Sequence, residues 1–164
     1  MQSFLGKINF LRKFIFDYAQ IVKPIQEMIK KDTIYSRGKK EKDTFTHIKQ
    51  EIAKAPVLYS PNFCKYLFLY PFDFDTSLVV VLTQKDELNN ERPISFMSES
   101  LQGPELNYLV VDKQAYAMYK AMNNFRSYLL KIHCIIFVPH LAVRSLVVQQ
   151  ELGERRANAV TRLQ

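Results

Sequence analysis

The stretch 104-PELNYLVVDKQAYAMYKAMNNFRSYLL-130 decides the fold. Its apolar residues Tyr108, Val111, Ala115, Met118, Met122, Phe125 and Leu129 recur at alternating steps of three and four, the stripe of a helix lying on a core. Lys113, Lys120, Asn124, Ser127 and Lys131 fall on the opposite side. A helix with one dry face must cover something flat. The runs Tyr66 to Phe72, Leu78 to Leu82 and Arg92 to Met97, the last after a polar turn at Asp86 to Asn90, predict three strands of an antiparallel meander. A fourth strand, Ile132 to Val138, follows the helix. A further helix over 141–149 then carries Val143, Leu146 and Val147, and the basic tail after Gly153 reads as one or two more helical turns. The order β-β-β-α-β-α is that of an α+β mixed sheet with helices on its faces. In this reading Tyr66, Phe68, Tyr70 and Phe72 are core aromatics beneath the long helix, in preference to a base-stacking platform.

Upstream the texture is helical. In QSFLGKINFLRKFIFDYAQ, residues Phe4, Ile8, Leu11, Ile15 and Tyr18 share one stripe, and Pro24 suits the first turn of a second helix ending at Lys31. Residues 32–42, with Gly38 and several cations, read as an exposed loop. A third helix buries Phe45, Ile48 and Ile52 and is stopped by Pro56. The chain therefore divides into a three-helix bundle over 1–56, a linker over 57–65 and a sheet domain over 66–164.

The charge is uneven. The net charge is +7, and residues 1–65 carry 13 Lys and Arg against 6 Asp and Glu, whereas the remainder carries 10 of each. A basic module followed by a neutral one places any grip on nucleic acid in the first. No apolar run is long enough for a membrane span and no signal sequence is visible, so the expectation is an intracellular protein, cytoplasmic or nuclear, with no membrane partner. Cys64 and Cys134 lack metal or redox spacing and read as free thiols. His47, His133 and His140 are isolated, and neither a metal nor a cofactor is expected.

Several local signatures together resemble the ribonuclease H fold as it occurs in reverse transcriptases of gypsy-class long terminal repeat retrotransposons and of retroviruses. SFLGKINFLRKFI and FTHIKQEIAKAPVL resemble the start and the last helix of the polymerase thumb. LFLYPFDFDTSLVVVLTQ resembles the first hairpin of the ribonuclease H fold, RPISFMSESL its third strand, ELNYLVVDKQAYAMYKAMNNFRSYLL its first long helix, and FVPHLAVRSLV its fourth strand and next helix. The resemblance implies a thumb followed by a degenerate, connection-type ribonuclease H domain, with the fifth strand missing at the C-terminus. It places the fingers and palm outside this chain.

The resemblance also implies where metal ligands would stand, because two-metal phosphoryl chemistry needs carboxylates from the first strand, the long helix and the fourth strand. The matching positions read Phe72, Gln114 and Pro139, which offer no anionic oxygen, and Asp73 is expected to face away from the site. Between Asp112 and Glu151 there is no Asp or Glu at all. The expectation is a non-enzyme that binds an RNA/DNA hybrid or duplex DNA weakly, salt-sensitively and without sequence specificity. The candidate phosphate contacts are Lys7, Arg12, Lys13, Lys39, Lys40 and Lys42. Two other readings are a retroelement-derived host protein used for protein contacts and, against the ligand chemistry, an active metal-dependent ribonuclease H. Further expected partners are the remaining polymerase domains, or a second copy through the sheet edge left open by the missing strand.

Overall fold

The computed structural model describes residues 9–30, 39–138, 143 and 159–162. Five strands form a single sheet: β1 Leu67–Asp73, β2 Ser77–Lys85, β3 Glu91–Ser100, β4 Cys134–Phe137 and β5 Ala159–Arg162, in the order β3-β2-β1-β4-β5. The first three pair antiparallel as the meander requires, while β4 runs parallel to β1 and β5 parallel to β4. The expected absence of a fifth strand is thus corrected. Val160 and Thr161 take up the register opposite Ile135 and Ile136, so Ala159–Arg162, within the tail that read as helical, is extended and pairs with β4. Self-association through an open β4 edge loses its basis.

The β2–β3 turn is built by its polar residues. Asp86 accepts the N–H groups of Leu88 and Asn90 at 2.9 Å each and Arg92 Nε at 2.8 Å, while Asn89 takes the left-handed conformation at φ 63°. Asn tolerates that region because its short side chain can bond locally. The Arg92 hydrogen bond, followed by the backbone N–H of Asn90, lowers the Asp86 pKa. A bulge at Leu82/Thr83 accommodates Pro93, whose missing N–H would interrupt a regular ladder.

The long helix α3 is Val110–Asn124, shorter than the periodic stretch that predicts it. Gly103–Asn107 forms a separate 3-10 turn, and α4, Arg126–Leu129, follows the helix. Helix α3 crosses β1 and β2, burying Ala117, Met118 and Ala121 against Leu67, Leu69, Leu78, Val80 and Leu82. Phe125 closes its C-terminal end at 1% exposure. Tyr108, placed on the dry stripe by periodicity, lies outside the helix and is exposed. The helix expected over 141–149 lies outside the described residues except for Val143, which is helical and buried in the same core.

The N-terminal helices differ from expectation in one joint. A 3-10 turn, Phe10–Phe14, is followed by a break at Asp17 (φ 49°), and α1 is Tyr18–Lys30 with Pro24 inside it. The expected first helix therefore stops before Tyr18, and the second begins six residues earlier than Pro24 suggested. Helix α2 is Lys39–Lys54, so Lys39, Lys40 and Lys42 open a helix instead of closing a loop. Ile15, Tyr18, Val22, Ile25 and Ile48 form a second, smaller core.

This helical unit docks on the sheet face opposite α3, near β3. The Ala19 N–H donates to Ser98 Oγ at 2.9 Å, Gln20 Nε2 donates to Thr76 Oγ1 at 2.6 Å, and Ser100 Oγ donates to the Ala19 carbonyl at 3.4 Å. The Phe16 ring lies edge-on to Phe72, Phe74 and Phe96 at 6.0–6.3 Å.

Candidate nucleic-acid interface

The expected phosphate contacts fall on two elements. Arg12 and Lys13 lie in the 3-10 turn just before its last residue, Phe14, and are exposed. Ile15, the residue after that turn, is 2% exposed and sits in the helical core, which anchors the backbone next to the two exposed cations. Arg12 Nη2 donates to Asn124 Oδ1 on α3 at 3.4 Å, and Lys13 Nζ stands 5.2 Å from the Phe14 ring centroid. Burial raises the Tyr18 pKa, and the positive field of Arg12 partly opposes it. Arg12 therefore sits where the helical unit, the β3 edge and the end of α3 converge, and it lines two open clefts of about 500 and 460 Å³ there.

Lys39, Lys40 and Lys42 lie in the first turn of α2, a different element. Lys42 is exposed, and its carbonyl accepts Thr46 Oγ1 at 3.0 Å. Lys7 lies outside the described residues. Of the six candidates, the structure thus brings Arg12 and Lys13 onto one turn and groups the other three described cations at the start of α2.

A cation that charge counting passed over is Lys120. It borders the second cleft, where its Nζ meets Glu99 at 2.7 Å and lies 5.0 Å from the Tyr116 ring. The Glu99 hydrogen bond, then Tyr116, raises its pKa. Tyr116 in turn donates to Glu105 Oε1 at 2.6 Å, which lowers the Glu105 pKa. The net charge of zero in this half hid a paired network, and its signal was the i, i+4 spacing of Tyr116 and Lys120 on one helix.

The ligand positions also need correction. The pleat of β1 turns Leu67, Leu69, Pro71 and Asp73 towards α3, and Phe68, Tyr70 and Phe72 away from it. Asp73, expected to face away, accepts Gln114 Nε2 at 3.0 Å, while Phe72 packs against Phe16 on the other face. The aromatics read as core beneath the helix are therefore on the opposite surface. The error was one of phase, because the aliphatic alternate set, not the aromatic one, meets the helix. Gln114 is 3% exposed, and its Oε1 has no hydrogen-bond partner among the described residues. Pro139 lies outside the described residues, and β4, Cys134–Phe137, carries no carboxylate. Among the described residues no three His, Cys, Asp or Glu side chains are grouped to hold a metal ion, and no helix is long and apolar enough to cross a membrane.

A three-stranded meander, a long helix across it and parallel fourth and fifth strands beyond the first define an α+β domain of the ribonuclease H-like class. The chain belongs to the family described as the RNase H-like domain found in reverse transcriptase, whose model matches residues 38–136. It is 35% identical over 156 residues to the retrovirus-related Pol polyprotein from transposon 297 of Drosophila melanogaster, covering 94% of this chain and 14% of the relative. It is 32% identical over 129 residues to the transposon Tf2-3 polyprotein of Schizosaccharomyces pombe, covering 79% of this chain and 10% of the relative. The chain thus spans a small fraction of the curated relatives it matches. Its fold is similar to that of a foamy viral protease-reverse transcriptase in complex with dsDNA (TM-score 0.84, 16% identity, 99% of this chain and 37% of that one). A second structure of that protein, in complex with an RNA/DNA hybrid, gives a TM-score of 0.78 at 16% identity, over 99% of this chain and 24% of that one.

Proposed function

We propose that this chain is a non-catalytic thumb and connection module of a retrotransposon reverse transcriptase, binding the backbone of RNA/DNA hybrids or duplex DNA without reading sequence. The observation that carries the proposal is the exposed pair Arg12–Lys13 on a turn that leads into the buried Ile15. Two adjacent cations on one backbone turn suit adjacent phosphates, and such contacts carry charge but no base information. The similar foamy viral protein is seen with both kinds of duplex, which supports the same ligand class here. Against catalysis stand the amide of Gln114 beside Asp73 and the lack of an acid on β4, since a hard divalent cation is held by anionic oxygens.

Replacing both cations, Arg12→Ala with Lys13→Ala, tests the binding role. Hybrid affinity is expected to fall, and the slope of log K against log salt to shrink by about 2, near 0.9 for each phosphate no longer neutralised. An unchanged slope would place the grip elsewhere.

A second reading has its own observation. Leu106, Leu109 and Val110 are exposed in sequence beside the start of α3, at 41%, 73% and 53%. Such a run suits contact with another protein, as expected of a retroelement-derived interaction module. A protein partner whose binding is insensitive to salt, with no hybrid affinity, distinguishes it.

A further inference from the structure

The sheet face turned away from α3 carries rings where the other face carries aliphatic side chains. Tyr66, Phe72 and Phe74 are 59%, 42% and 43% exposed, and Phe68, Tyr70 and Phe137 are half-buried beside them. Alternate residues on a strand are about 7 Å apart, so the rings of β1 extend along the whole strand. Tyr70 and Phe137, on neighbouring strands, stack at 4.7 Å with their planes 2° apart, and Phe68 lies 6.2 Å from Phe137. The inner rings are thereby fixed by one another, whereas Tyr66 and Phe72, each met by one further ring at T-shaped geometry (His133 at 6.1 Å and Phe16 at 6.0 Å), keep the larger exposure.

One cation meets these rings directly: Lys85 Nζ stands 5.6 Å over Phe68. A second, Lys131, lies three residues before β4 and stands 5.8 Å over a separate exposed ring, Phe63. The carboxylate of Glu91 accepts the Tyr70 hydroxyl at 2.7 Å and Thr83 Oγ1 at 3.4 Å, so it is engaged within the protein. A row of partly exposed rings with an ammonium group against it fits a ligand made of planar faces joined by anions. A duplex hides its base faces, so the ligand must have unpaired bases.

We propose that this face is a stacking platform for single-stranded RNA or DNA, with bases on Tyr66 and Phe72 and backbone phosphates drawn to Lys85 and Lys131. The proposal does not rest on duplex binding, because its ligand and its residues are different.

The test is fluorescence anisotropy of a labelled 12-nucleotide oligothymidylate with the full chain at low salt. A 20-base-pair hybrid is measured alongside, and sedimentation reports the association state. Tyr66→Ala with Phe72→Ala is expected to weaken oligothymidylate binding by roughly five- to 150-fold for each ring removed while hybrid binding is kept. Tyr66→Leu with Phe72→Leu retains apolar volume without the planar ring and should lose the same binding if the alanine pair melts early. Failure of the wild type to bind the oligothymidylate, equal binding by the leucine pair, or a change confined to self-association would overturn the proposal. Loss of hybrid binding alone would overturn the duplex reading and leave this one standing.

Discussion

Gln114 on α3 donates its amide to Asp73 on β1 at 3.0 Å, joining the long helix to the first strand at the place where a carboxylate pair would repel. The neutral amide satisfies an Asp73 oxygen without setting a second charge beside it. Gln114→Glu would put two acids together at a position only 3% exposed. One of the two carboxyls must then take up a proton near neutrality, its pKa raised by the like charge. A folded pKa above the unfolded value means that stability is retained in acid and lost as pH rises through the folded pKa. Thermal melts should show the variant destabilised at pH 7 by about 2 kcal/mol or more, with the gap closing below about pH 4. Magnesium or manganese should not make it cut the RNA of a hybrid, because β4 still supplies no acid.

Asp17 gives the opposite lesson at a joint. It takes φ 49° between the 3-10 turn and α1, and burial raises its pKa against the weaker pull of Ser77 and the Gln20 N–H. The native carboxylate therefore costs stability above its raised pKa and costs nothing once both states are protonated. Asn tolerates the same backbone region and carries no charge. Asp17→Asn is expected to raise the melting temperature by a few degrees at pH 7, with no gain below about pH 3.8. A gain that persists in strong acid would mean that the backbone, not the charge, is responsible.

Phe125 is the largest fully buried side chain at the end of α3. It packs in the same core as Met118 and Ile136. Phe125→Ala should cost about 3–5 kcal/mol in denaturant unfolding, the loss of ring burial plus a cavity that the sheet cannot close. A cost below about 1 kcal/mol would show that the α3–sheet contact is not the main source of stability.

Much of the fold was legible because its signals were local. The 3.6-residue stripe found α3, and the valine-rich run and the polar turn at Asp86 to Asn90 found the β2–β3 hairpin. Ile15, Tyr18 and Ile48 were correctly placed in a helical core. The misreadings were questions of phase and of long-range pairing. Nothing local says which alternate set of β1 meets a helix some forty residues later, so the aromatic set was chosen over Leu67 and Leu69, and Asp73 was turned the wrong way. The strand at Ala159–Arg162 is specified by its parallel partner β4, not by its own periodicity. The break at Asp17 was hidden because Ile15 and Tyr18 fit a continuous stripe whether or not the chain turns between them.

Duplex binding without cleavage is tested by the anisotropy of a labelled 20-base-pair RNA/DNA hybrid titrated with the protein at two salt concentrations. Magnesium or manganese is present, and the RNA is recovered on a gel afterwards. Binding is expected to weaken steeply with salt and the RNA strand to stay intact. Cleavage of the RNA, or binding indifferent to salt, would contradict it.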